Sequence, residues 1–255
     1  MLGNAVQRLA ARLPRWAKEP LGLLRDQVKA VAYQGRGRWC PVCGSESARF
    51  CSFSVVRRED AQCVHCGSVE RHRLGWLFLH MRTDLFDGRP KRMLHVAPEA
   101  CFAARLRHWP GIDYLTADLS SPHAMVKMDV TAIPYGDEFF DVIYCSHVLE
   151  HVPDDRRAMR ELCRVLKRRG WAILLVPILA ERTFEDPSVV DPAERFRRFG
   201  QADHVRAYGP DYVERLREAG FTVQTVKASE LANAEQVVAM GLSAASGDIY
   251  YCTKR

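Results

Sequence analysis

No run in this 255-residue chain approaches the ~18 apolar residues that a membrane-crossing helix requires. The longest, WAILLVPILA at 171–180, is interrupted by Pro177 and reads as a buried strand. The N-terminal region has no clear apolar stretch of roughly 7–15 residues, so a secretory signal is not expected. The nine cysteines are odd in number and scattered, which argues against a disulfide scaffold. A reducing compartment, most simply the cytoplasm, is the expectation. Glycine is missing where many nucleotide-binding folds keep it. In RMLHVAPEACFAARL (92–106) a buried strand breaks into a helix through Ala97-Pro98-Glu99-Ala100. A phosphate dianion needs crowded backbone N–H groups, and glycine permits that approach. A joint without glycine either holds a cofactor by other means or has lost the ability to hold one.

What is present begins with charge. Residues 1–39 hold eight Lys/Arg against Glu19 and Asp26, which accounts for the whole net charge of +6. The remaining 216 residues balance, so the body offers no basic face for a nucleic-acid duplex. The leader reads as short basic amphipathic helices broken near Pro14 and Pro20. Such a segment packs on the body, or touches a membrane surface, nucleic acid or a partner protein.

Residues 40–73 read as a separate unit. CPVCG and CVHCG are two Cys-x-x-Cys-Gly knuckles, Cys40/Cys43 and Cys63/Cys66, with 19 residues between them. Each knuckle lets two thiolates grip one ion from a tight turn that glycine permits. Four soft sulfur ligands suit tetrahedral zinc in a closed, structural site, and rubredoxin-type iron fits the same pattern. The strands about RFCSFSVV are too few to bury a core, so the metal supplies the folding free energy. Arg57, Arg58, Arg71 and Arg73, with Phe50 and Phe53, leave open a ribbon that grips nucleic acid. A helix is expected over 69–86, overlapping the connecting segment 74–90, with Leu74, Leu77, Phe78 and Met81 as its apolar stripe.

From residue 91 strands and helices alternate. Strands are expected at 92–97, 113–118, 125–130, 140–146 and 170–176, with helices at 98–108 and 154–169. This pattern implies an α/β domain with a parallel, helix-covered sheet. Lys167–Arg169 are expected in the last turn of helix 154–169, and Gly170 at its end. The tail is expected as helix 210–219, strand 221–227, a short helix near 230–240 and strand 248–254, the last two strands pairing antiparallel.

DVTAIPYGDEFFDVIYCSHVLEHVPDDRRAMRELCRVLKRRGWAILLVP (129–177) resembles the class I S-adenosylmethionine-dependent methyltransferases. It has an acid ending strand three, a Leu-Pro-Phe-like turn, Phe-Asp before strand four, a Leu-Glu-His loop and a Leu-Lys-x-Gly-Gly-like turn. With Leu-His-x-Ala-Pro-Glu at the first loop and four upstream cysteines, it is similar to a methyltransferase type 11-like subgroup. The resemblance covers about 91–255 and implies a doubly wound, seven-stranded Rossmann-like sheet carrying a small zinc ribbon. It implies a donor site at His95, Ala97, Glu99, Asp118, Leu119, Asp129, Val130 and Ser146. Asp118 would take the ribose hydroxyls and Asp129 the adenine amino group, with the Val130 backbone nearby. The donor has no phosphate, so a glycine-free first loop can serve.

An O–H or N–H acceptor needs a base, and histidine suits neutral pH. His147, after strand four, is expected at the transfer mouth. His204 sits in the long polar segment 183–209, read as a substrate loop from which it reaches the acceptor with Asp203 or Arg206. His151 is read as structural or donor-side. No Asn-Pro-Pro-Tyr or Asp-Pro-Pro-Tyr follows strand four, which marks down exocyclic base amines. Three readings stand: a methyltransferase for a small molecule or glycan, an RNA methyltransferase that uses ribbon and leader as its grip, and a non-catalytic binding module.

Overall fold

The computed structural model describes residues 32–54 and 57–254. Most of the basic leader, residues 1–31, lies outside the described residues. The ribbon has two small antiparallel pairs: β1 (Arg38–Trp39) with β2 (Glu46–Ser47), and β3 (Cys51–Phe53) with β4 (Arg58–Gln62). Helix α1 (Glu70–Arg82) follows at once. The main domain then runs β5 (Lys91–Val96), α2 (Ala100–Leu106), β6 (Ile112–Asp118), β7 (Val126–Lys127), β8 (Phe140–Ser146), α3 (Asp155–Val165) and β9 (Leu166–Leu175). After it come β10 (Phe184–Glu185), α4 (Pro192–Phe199), β11 (Arg206–Ala207), α5 (Tyr212–Glu218), β12 (Phe221–Val226), α6 (Ala234–Ala239) and β13 (Ile249–Lys254).

Seven strands form one sheet in the order β12-β13-β9-β8-β5-β6-β7. Strands β5 to β9 are parallel, and β13 inserts antiparallel between β9 and β12. The chain leaves β5 for β6 on one side and returns to β8 on the other. That reversal makes the carboxyl ends of β5 and β8 the switch point where open α/β sheets bind ligands.

Three local expectations need correction. Helix α3 stops at Val165 and β9 begins at Leu166, so Lys167–Arg169 lie in a strand. Gly170 is not a helix cap. A Cβ there would stand 2.6 Å from the Asp141 carbonyl, so glycine is needed for strand approach. The expected third strand shrinks to two residues, leaving Asp129 in the turn beyond it. Segment 183–209 is not a loop: β10 pairs with β11, α4 lies between them, and Phe199, Val189 and Ala207 form its own small core.

Helix α1 explains how the ribbon attaches. Instead of one apolar stripe it buries Leu74, Trp76, Phe78 and Leu79, while Met81 is 54% exposed. Trp76 packs on Phe102 and Phe78 on Tyr251, which sets the helix against the sheet domain. Arg73, for which the sequence leaves a nucleic-acid contact open, is fully buried over the ring of Phe50. Its guanidinium donates to the carbonyls of Ala61 and Ser68 in the ribbon and of Met240 and Gly241 in the body. Phe50 is buried as well, and Arg58 pairs with Glu70.

Candidate functional site

Two residues at the switch point carry left-handed backbone without being glycine. Ala97, after β5, has φ of 48°, and His147, after β8, has φ of 56°. Such conformations cost of order 1–3 kcal/mol for a side-chain-bearing residue and persist where surroundings enforce them. Both residues line a cavity of about 770 Å³ at the strand ends. Asp118 and Leu119 form one wall, with Asp129 and Val130 beside them and His151 opposite. Asp118 Oδ1 accepts from the backbone N–H groups of Ser120 and Ser121. Asp129 Oδ1 accepts from Thr131 N–H and its hydroxyl. Each Oδ2 carries no hydrogen bond from the described residues, so each aspartate is fixed by one oxygen and keeps the other.

His95, Glu99 and Ser146 do not line this cavity. His95 is fully buried, its Nδ1 2.7 Å from the Tyr114 hydroxyl and its Nε2 2.6 Å from Glu99 Oε2. Burial opposes the Glu99 charge, but the hydrogen bond from His95 leads the interactions that outweigh it and hold the carboxyl down at about 2. His72, from α1, puts Nε2 3.7 Å from Glu99 Oε1. Burial dominates there and lowers the His72 pKa to about 3. Side chains, not a glycine nest, therefore brace the first loop. The contribution of His72 was missed because nothing in its local sequence points back toward residue 99.

A second cavity of about 560 Å³ opens on the other side of His147, which belongs to both walls. Arg71, Lys227, Ser243 and Tyr250 line it together with the segment after β9. Spacing alone did not reveal Arg71 or Lys227 here, since they come from elements more than 150 residues apart. His147 Nδ1 lies 3.2 Å from Glu150 Oε1.

His204 lines neither cavity. It is 1% exposed, with Nδ1 2.9 Å from the Phe199 carbonyl, because the expected substrate loop folds over it. Arg206 is likewise buried, donating to the carbonyls of Leu149, Val152 and Pro153. Asp203 alone of that trio reaches the first cavity.

In the ribbon, the four sulfurs of Cys40, Cys43, Cys63 and Cys66 lie within 4.8 Å of one another. Cys40–Cys66 and Cys43–Cys63 are separated by 3.6 and 3.8 Å. A tetrahedral ion with bonds of about 2.3 Å sets its sulfurs about 3.8 Å apart, so the four fit one such ion. Gly44 and Gly67 take left-handed φ of 71° and 73°, turning each knuckle back on its first cysteine.

Comparison with known proteins bears on the sheet domain. Residues 94–174 match the family described as "Methyltransferase domain". Over 75 residues the chain is 37% identical to the uncharacterized methyltransferase YcgJ of Bacillus subtilis, covering 29% of this chain and 28% of that protein. Over 115 residues it is 30% identical to the 27-O-demethylrifamycin SV methyltransferase of Amycolatopsis mediterranei, covering 44% and 40%. The match thus spans less than half the length of these curated relatives. A solved S-adenosylmethionine-dependent methyltransferase from Mesorhizobium loti superposes with a TM-score of 0.48 at 16% identity, over 71% of this chain and 98% of that one. Residues 94–174 carry the end of β5, all of β6, β7 and β8, most of β9, and the aspartates of the first cavity, so the segment that matches the methyltransferase-domain family holds the centre of the sheet and its switch point.

Proposed function

We propose that the chain transfers a methyl group from S-adenosylmethionine to an oxygen or nitrogen of a small molecule or glycan. The observation that carries this reading is the pair of cavities meeting at His147 on the switch point. Asp118 Oδ2 would hold the ribose hydroxyls and Asp129 Oδ2 the adenine amino group, with Leu119 and Val130 against the purine. Bound there, S-adenosylmethionine supplies an electrophilic methyl on a sulfonium sulfur. The acceptor would occupy the second cavity, aligned by its walls. His147, with Nδ1 turned to Glu150, has Nε2 left to take the proton that the acceptor loses. A relative named for 27-O-demethylrifamycin SV supports a small-molecule acceptor.

We assign zinc to Cys40, Cys43, Cys63 and Cys66, in a structural role. Four thiolates fill a tetrahedral ion's coordination and leave no position for substrate.

The test is calorimetry with S-adenosylhomocysteine. Wild-type protein should bind it, and Asp118→Ala should weaken binding tenfold or more, as loss of hydrogen bonds to a charged group predicts. No heat and no thermal shift with wild-type protein would leave a non-catalytic module. Transfer of labelled methyl from the donor into RNA rather than a small-molecule or glycan fraction would overturn the acceptor class.

A further inference from the structure

The turn after β8 and the folded segment 183–209 bring together a second set of ligating groups. Glu150, His151 and His204 each offer one ligand atom, all within 4.8 Å of one another. Glu150 and His204 are each 1% exposed. Neither carboxylate oxygen of Glu150 has a hydrogen-bond partner among the described residues, and neither does Nε2 of His204. A buried carboxylate in that condition is costly unless a cation or donors meet it. The neighbouring guanidinium of Arg206 does not serve, because its donors go to Glu185 and to the carbonyls of Leu149, Val152 and Pro153. His147 Nδ1 comes to 3.2 Å but without the alignment of a hydrogen bond.

The tautomer of His204 sharpens the case. Its Nδ1 lies 2.9 Å from the Phe199 carbonyl, which only accepts, so Nδ1 carries the hydrogen. Nε2 then presents a lone pair. Glu150 and His204 therefore face one another as two acceptors, and neither can satisfy the other. An imidazole fixed by a backbone carbonyl, with its second nitrogen free, is the arrangement by which proteins orient metal-binding histidines. His151 stands edge-on to His204 with ring centroids 4.7 Å apart, and its Nδ1 is 3.4 Å from Asp203 Oδ2. His151 and Asp203 also line the first cavity, so a bound ion would have an open side toward it.

We propose that Glu150, His151 and His204 bind a divalent transition-metal ion at the edge of the first cavity, separate from the four-cysteine site. Two imidazoles and one carboxylate suit Mn²⁺, Fe²⁺, Co²⁺ or Zn²⁺, whereas thiolates favour softer ions. This inference goes beyond the methyltransferase reading and does not need it.

The test uses the full chain with its ribbon loaded with zinc, titrated with Mn²⁺, which the filled thiolate site does not take up. The electron paramagnetic resonance signal of free Mn²⁺ should fall until one ion is bound per chain. Glu150→Gln keeps the side-chain shape, and His204→Asn keeps a donor for the Phe199 carbonyl. Each should weaken Mn²⁺ binding tenfold or more, and Mn²⁺ should raise the melting temperature of wild-type protein but not of either variant. Undiminished free Mn²⁺ signal with wild-type protein, or unchanged binding in folded variants, would overturn the proposal. Binding of S-adenosylhomocysteine is read separately, so the loss of one reading is distinguishable from the loss of the other.

Discussion

His72 makes acid stability a direct test of how the first loop is braced. Its imidazole comes from α1, is buried, and stays neutral in the fold to about pH 3. In the unfolded chain it takes a proton near pH 6.5. Below that value the unfolded state binds more protons, so stability falls as pH falls. The slope approaches about 1.4 kcal/mol per pH unit, and the loss between pH 7.5 and 5 amounts to about 2 kcal/mol. His72→Gln removes the titrating group. Urea denaturation of both proteins across this range should show the wild-type advantage over the variant shrinking by about that amount. Other acid-sensitive groups, the thiolates included, contribute to both curves and cancel in the difference. Parallel curves would refute the reasoning. They would mean that Glu99, 3.7 Å away, offsets the cost of burying a charged imidazole and that the two form an ordinary ion pair.

Two further predictions probe the joint between ribbon and sheet. Arg73→Met keeps the stem over Phe50 but strands three buried carbonyls and the half-buried one of Gly241, and chemical denaturation should show a loss of roughly 3–5 kcal/mol. Gly75→Ala would place a Cβ 2.9 Å from the Tyr144 hydroxyl and should cost about 1–3 kcal/mol, most of it recovered in the double variant with Tyr144→Phe.

The sheet was legible because its strands are short, apolar and separated by amphipathic helices, and the cysteine pairs because their spacing has few other uses. Asp118 was legible as a carboxylate at a strand end, whereas Asp129 lies just beyond the shortened third strand yet still lines the first cavity. What failed was local termination. Gly170 follows a basic run after an amphipathic helix and so mimics a helix cap. Only the Asp141 carbonyl across the strand pair shows that close approach, not helix ending, demands it. His204 failed for a different reason. Its segment is polar, but Phe199 and Val189 fold it into a unit of its own, and burial cannot be read from polarity alone. Arg73 was open to either a structural role or a nucleic-acid contact, and its four carbonyl partners place it on the structural side.

Arg73 points to a wider feature: α1 belongs to both the cysteine ribbon and the site. The knuckles hold the ribbon, Arg73 ties it to Met240 and Gly241, His72 reaches Glu99 behind the first loop, and Arg71 enters the second cavity. A first loop without glycine needs such support, because Ala97 is held in a conformation that its own side chain disfavours. If the four cysteines hold the proposed zinc, the ion supplies part of the free energy that keeps the ribbon's short strands in shape. Stripping the metal should therefore loosen α1 as well as the knuckles. Chelator-treated protein should lose at least part of its affinity for S-adenosylhomocysteine while the sheet domain keeps its far-ultraviolet dichroism, and zinc should restore it. Full affinity after chelation, with the ribbon demonstrably unfolded by proteolysis between β1 and β4, would show that the first loop holds its shape unaided and that the ribbon is only an attachment.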